Sequence, residues 1–199
     1  MRTARPGDRV DVSSKPPTRL GGMRIVAGTR KGARIFAPKG LDTRPTGDRV
    51  REAVFNLVGP VDGAAVLDLY AGSGAMGLEA LSRGAEKVVF VESDRDACRT
   101  IKSNLDKLGL DGAEIACRDA LSFLALERRR FDLILVDPPY DVVESVAVRL
   151  AVYLPAVLAE NGLVAFESSS RDEPGLAPLA TRTSRRYGSA RVTLFEAPA

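Results

Sequence analysis

The stretch Val66-Leu67-Asp68-Leu69-Tyr70-Ala71-Gly72-Ser73-Gly74-Ala75-Met76-Gly77 constrains this chain more than any other. Residues 64–69 form a short apolar run of the kind buried on both faces of a parallel sheet. Small residues and glycines then break the run. Leu78 and Leu81 restart it at helical spacing, with Gly84 placed as the helix C-cap. Strand, glycine turn and helix make the opening of a βαβ unit, and glycine belongs where the backbone turns tightly against a ligand.

Two ligands compete for such a turn. Gly72, Gly74 and Gly77 satisfy the dinucleotide pattern G-x-G-x-x-G, which is weak evidence by itself. Asp68, four positions before the first glycine, favours the other ligand, S-adenosylmethionine. A carboxylate repels a pyrophosphate and attracts a cationic amino-acid group. The plain alternative is that the glycines only let helix and strand pack closely. Glu92 closes the next apolar run, residues 87–92, eighteen positions beyond Gly74. There a carboxylate takes hydrogen bonds from both ribose hydroxyls of an adenosine. Asp119 follows a third run, residues 113–117, and is placed to accept from an adenine amine, to N-cap the helix expected over 120–127, or both. The expected cofactor-binding set is Asp68, Tyr70, Ala71, Gly72, Gly74, Glu92, Asp119 and Ala120.

The fourth run, residues 131–136, leads directly into Asp137-Pro138-Pro139-Tyr140. Two prolines lock the backbone and remove its N–H donors, leaving carbonyls and the Asp137 carboxylate as acceptors. Tyr140 offers a flat ring on which a base can stack. Asp137, Pro138, Pro139 and Tyr140 therefore suit a planar substrate that bears an amine, whose N–H protons are held so that the nitrogen lone pair faces a methyl donor. Methylation at a pyrimidine carbon instead needs a thiolate beside the substrate. Neither Cys98 nor Cys117 adjoins the Asp137 loop, and both read as small, separate core residues. With two cysteines, no metal-ligand spacing and no histidine, imidazole and metal chemistry are not expected, and a reducing cytoplasm is the simplest compartment.

Charge is distributed unevenly along the 199 residues. Residues 1–56 hold thirteen Lys and Arg against five Asp and Glu, or +8, whereas residues 57–199 hold sixteen against twenty-one, or −5. A basic front on an acidic body points to a polyanionic partner. Residues 1–22 have almost no large apolar side chains and read as a disordered leader. Arg24 to Ala27 and Ala33 to Phe36 read as a hairpin around a Gly28–Gly32 turn, with Arg30 and Lys31 at its tip and Arg24 and Arg34 on its strands. Thr46 is placed to N-cap a helix that buries Val50, Ala53, Val54, Leu57 and Val58. Arg49 and Arg51 lie off that face, and Arg44 precedes the helix. These seven cations, Arg24, Arg30, Lys31, Arg34, Arg44, Arg49 and Arg51, are the expected RNA contacts, against the plainer reading of a solvated surface. The resulting division is leader 1–22, basic hairpin and helix 23–59, and catalytic domain 60–199. A helix over 142–158, a fifth strand over 162–167 and a closing hairpin around Gly188-Ser189 complete the chain.

The hairpin of residues 23–36, the segment from Thr43-Arg44-Pro45-Thr46 to Asn56, the turn at 68–77 and Asp137-Pro138-Pro139-Tyr140 together resemble the RsmD-type bacterial 16S rRNA guanine-N2 methyltransferases, over residues 23–199. The resemblance implies a class I S-adenosylmethionine-dependent methyltransferase, with a Rossmann-like seven-stranded sheet and a small N-terminal β-hairpin extension. It implies a guanine of small-subunit rRNA as substrate, within an assembling ribosomal particle, and a monomeric protein. A DNA amino-methyltransferase, a nucleic-acid-binding protein without catalysis and an NAD-dependent oxidoreductase stay open as alternatives. The first is weakened by the lack of a sizeable segment for reading duplex bases.

Overall fold

The computed structural model describes residues 20–38 and 46–198. Its centre is a seven-stranded sheet built of β3 (Ala65–Leu69), β4 (Lys87–Glu92), β5 (Ala113–Cys117), β6 (Phe131–Val136), β7 (Leu158–Ser169), β8 (Ala180–Tyr187) and β9 (Ala190–Glu196). The spatial order is β5-β4-β3-β6-β7-β9-β8. The first five strands in that order are parallel, whereas β9 and β8 add as antiparallel neighbours. The apolar runs of the sequence form the parallel strands because both faces of those strands are covered. One face packs under α1 (Thr46–Val58), α2 (Ala75–Ser82), α3 (Arg95–Leu108) and the N-terminal hairpin, with Phe55, Leu78, Phe90 and Ile101 at its core. The other packs under α4 (Ala120–Leu124) and α5 (Val143–Val157), around Leu67, Ile134, Leu150 and Phe166.

The hairpin differs from the sequence expectation. Its strands are β1 (Leu20–Arg24) and β2 (Arg34–Phe36), so Leu20 to Gly22 of the expected leader belong to a strand. Ile25 still bonds across the hairpin to Gly32 and Ala33, and residues 26–27 leave it. The Val26 and Ala27 amides donate instead to the Glu79 carboxylate of α2, at 2.7 and 2.9 Å. Glu79 is fully buried and also pairs with Arg83 at 2.8 Å and with Arg51 at 3.4 Å.

One expected RNA contact is therefore corrected. Arg51 is buried, donates to Asp48 and to the Arg24 carbonyl, and lies against Glu79. Amphipathic spacing could not reveal that an acid 28 residues later is buried opposite it. Arg30 is exposed, yet its side chain is engaged within the chain. Its guanidinium donates to the Leu108 and Gly109 carbonyls, satisfying the C-terminal end of α3, and its amide donates to Ser82 Oγ at the end of α2. Helices in such units run back toward the strand beginnings, so the hairpin tip, Lys31 included, lies at the edge opposite the carboxyl ends of the strands. Arg24 pairs with Asp48 at 3.3 Å, and Arg34 and Arg49 are exposed. Arg44 lies outside the described residues.

Removing Glu79 should strip the charge partner from a buried arginine, a change that costs about 3–5 kcal/mol. For Glu79→Ala we expect that loss in denaturant unfolding. Hydrogen exchange at the Val26 and Ala27 amides should rise beyond the global change.

Candidate active site

Four adjacent strands end in acids. In spatial order these are Asp119 just past β5, Glu92 closing β4, Asp68 near the end of β3 and Asp137 just past β6. The ladder sets them side by side: Val91 pairs with Ala116 and with Leu69, and Leu69 pairs with Val136. β4 and β6 follow β3 on opposite sides, so the cleft between β3 and β6 is the topological switch point, where open α/β sheets bind ligands.

Each acid has a definite structural task. Asp68 is buried and accepts from the Gly77 amide at 2.9 Å. That amide sits in the first turn of α2, whose N-cap is Gly74 and offers no side chain, so Asp68 caps the helix from the strand below. Burial pushes the Asp68 carboxyl up to about 7; the Gly77 hydrogen bond opposes this, and the Asp137 and Glu92 charges add to it. Glu92 accepts from the Gly72 amide at 2.9 Å and the Asp94 amide at 2.7 Å, tying the glycine turn to the end of β4. Asp119 N-caps α4 through Ser122, as the sequence allowed, and those hydrogen bonds hold its carboxyl below the usual range. Ala120 is buried beneath it. Asp137 is exposed, Pro138 buried and Pro139 exposed, and Tyr140 opens a 3-10 turn.

The turn itself is tight. Tyr70 adopts φ 61°, a left-handed conformation that is uncommon outside glycine, at the strand end between Asp68 and the Gly72 loop. Burial, then the Asp119 charge, raises the Tyr70 hydroxyl above its ordinary range, while Arg149 opposes them. Ala71 is buried and its amide donates to the Val91 carbonyl. The glycines divide by purpose. A Cβ on Gly77 would meet the Phe90 ring at 2.3 Å, so Gly77 lets α2 lie against β4. Gly72, at φ 55°, would meet nothing nearer than the Tyr70 carbonyl at 3.9 Å, leaving its backbone open to a ligand. The packing reading therefore holds at Gly77, whereas Gly72 has no packing neighbour that requires a glycine.

Three features escaped the sequence reading. Asn104, buried among the apolar residues of α3, bonds both to the Phe36 backbone and to the Ser73 carbonyl, fastening the hairpin to the glycine turn. A polar residue on a core face was its one signal. Arg149 faces Tyr70 and Asp119 from α5. The two cysteines are not separate: Cys98 and Cys117 form a disulfide, with Cα atoms 6.1 Å apart. Cys117 is in register with Glu92, and Cys98 lies in the first turn of α3 just beyond it, so strand register brings together residues that the sequence separates by nineteen positions.

Comparison with known proteins accords with this geometry. The model of the family described as conserved hypothetical protein 95 matches residues 23–196. The chain belongs to this family, the RsmD family. YlbH of Bacillus subtilis, provisionally named an rRNA methyltransferase, is 37% identical over 181 residues, covering 87% of this chain and 98% of that relative. Ribosomal RNA small subunit methyltransferase D of Haemophilus influenzae is 34% identical over 172 residues, 81% of this chain and 86% of the relative. Among solved structures, Escherichia coli yhhF, provisionally described as a methyltransferase, superposes with a TM-score of 0.76 at 31% identity, over 89% of this chain and 98% of that one. The RsmD-family chain thus has the class I methyltransferase fold.

Gly77→Ala should test the division of the glycines. We expect it to cost about 1–3 kcal/mol of stability, as overpacking does. Gly72→Ala should leave the Phe90 contact intact and lower ligand affinity more than it lowers the melting temperature. Thermal melts and ligand titration on both variants check this.

Proposed function

We propose that this protein transfers a methyl group from S-adenosylmethionine to the exocyclic N2 amine of a guanine in small-subunit rRNA. The observation that carries the reading is the row of acids at the switch point, with buried Asp68 beneath the open backbone of Gly72 and exposed Asp137 one strand away. The names of the H. influenzae and B. subtilis relatives support rRNA as substrate. The N2 position rests on the family resemblance, as does an assembling particle as the physiological substrate. A dinucleotide fits poorly, because its pyrophosphate would meet Asp68, Glu92 and Asp137.

The residues suit the cofactor. Asp68 and Glu92 surround the glycine turn with negative charge that favours a cationic amino-acid group, Glu92 retains acceptor capacity for ribose hydroxyls, and Asp119 borders the adenine side. S-adenosylmethionine supplies, when bound, a methyl group on a sulfonium. Asp137 accepts one N–H of the target amine and the Pro138 carbonyl the other, which turns the nitrogen lone pair toward the methyl carbon. As a carbon–nitrogen bond forms, the carbon–sulfur bond breaks and one proton leaves the nitrogen. Exposed Asp137 takes that proton and passes it to water. Its charge also stabilises the positive charge that develops on nitrogen. Tyr140 supplies the stacking face for the base.

Asp137→Asn keeps the shape and one acceptor and loses the charge. Methyl transfer to small-subunit RNA should fall about a hundredfold or more, while cofactor affinity changes far less. Full turnover in a stably folded Asp137→Asn protein would sink the mechanism.

Asp68 gives a pH signature. Its carboxyl titrates near 7 without ligand, and a bound cation must lower that value. Affinity for S-adenosylmethionine should therefore rise as pH climbs toward 7 and level off above it, and binding below 7 should release a proton. Calorimetry just below pH 7 in phosphate and in Tris should return different heats for the wild type and equal heats for Asp68→Asn.

A further inference from the structure

We propose that the end of the edge strand β8, through Arg185 and Arg186 and with Arg171 beside it, is a docking surface for the backbone phosphates of the RNA that flank the target base. This rests on the functional reading above and adds a site that lies outside the N-terminal hairpin.

Strand register carries the argument. Val136, the residue before Asp137, pairs with Phe166 of β7. In the next row Glu167 pairs with Val192 and Val192 pairs with Arg185. In the row after that, Ser168, Arg191 and Arg186 follow one another across the sheet. Asp137 and Arg185 thus stand on one row, three strands apart, a span of about 14 Å at the ordinary strand spacing. A single strand of RNA that places a base at Asp137 passes the end of β8 within a few nucleotides. Arg171 follows β7 at this same edge, where Ser170 and Ser189 are joined by a backbone hydrogen bond.

The charges here are not used up by the fold. Arg182, at the far end of β8, pairs with Glu196. Arg171, Arg185 and Arg186 are exposed, and among the described residues none has a carboxylate within ion-pair distance. Arg185 donates only to the Ser184 carbonyl, at 3.4 Å. Arg186 sits directly opposite Arg191, a like-charge pairing that is unfavourable by itself. Arg191 is buried and committed to Glu173, Ser170 and Ser184, so it offers Arg186 no relief. A polyanion would supply the counter-charge that Glu173 gives to Arg191 and that Arg186 lacks. Charged side chains also guard sheet edges against aggregation, but mixed signs do that equally well. Here β8 carries three arginines and no acid, two of them at the substrate end. Tyr187 packs against the core, so the surface is held rigid before RNA arrives.

The test is the double variant Arg185→Ala/Arg186→Ala, assayed with small-subunit RNA beside the wild type. The KM for RNA should rise about tenfold or more, and the slope of log affinity against log salt should become shallower by nearly two, since each phosphate contact contributes about 0.9. Maximal turnover, cofactor affinity and melting temperature should stay at wild-type values, and Arg185→Lys/Arg186→Lys should recover most of the binding. A double variant whose KM and salt slope equal those of a wild type that binds RNA overturns the docking surface alone. A wild type that binds no RNA at any salt overturns the functional reading, and the surface with it.

Discussion

A carboxylate with no access to water organises the layer that covers one face of the sheet. Glu79 lies in a core, where an acid is tolerable only if it is answered locally. It is answered by two arginines and two backbone amides that come from three different segments: Arg51 of α1, Arg83 beyond α2, and Val26 and Ala27 of the N-terminal hairpin. The two strands of that hairpin alone would be marginal. They persist because their connecting residues satisfy an acid that would otherwise be stranded, and because Asn104 holds β2 against the glycine turn. The basic front of the chain is therefore part of the catalytic domain's packing.

This changes how the N-terminal charge is understood. Among the described cations of the hairpin and α1, Arg30 and Arg51 are spent on helix ends and buried acids, and the hairpin tip faces the edge away from the acids. Net charge by segment showed an imbalance, and it could not show which charges remain for a partner. At the other edge the opposite holds. Acids crowd the cleft, and the arginines of β8 stand clear of it along the same rows. The edge is polarised, with a row of acids at the cleft beside a positive margin.

Much of this was legible in sequence where burial is complete. Lys87–Glu92 and Phe131–Val136 read as strands with the bounds they have, because a parallel strand covered on both faces shows as a largely apolar run; Ala113–Cys117, an edge strand with no buried residue, reads with its bounds as well. The acids at their ends were visible for the same reason. What stayed hidden depends on partners distant in sequence. The Val26 and Ala27 amides left the ladder for an acid in α2, which moved the hairpin's strands toward Leu20. The pairing of Cys98 with Cys117 follows from the register of β4 with β5. The helix expected over 120–127 ends at Leu124, and the expected strand over 162–167 extends from Leu158 to Ser169, since neighbours set element ends.

The sheet order has a consequence for how the chain reaches its native state. β3 carries Asp68, and its neighbours are β4, which follows soon after, and β6, which pairs Leu67 with Ile134. During synthesis, β3, β4 and β5 can assemble while one side of β3 has no partner. That open side presents unpaired backbone N–H and C=O groups and lies at the future cleft. It closes only when residues 131–136 arrive, so the site and the middle of the sheet are completed in one long-range step. Such steps are slow and leave strand edges exposed to intermolecular pairing. Until β6 inserts, the nascent protein has its glycine turn without the Asp137 loop, and that half-built sheet is the species with the most unpaired strand edge.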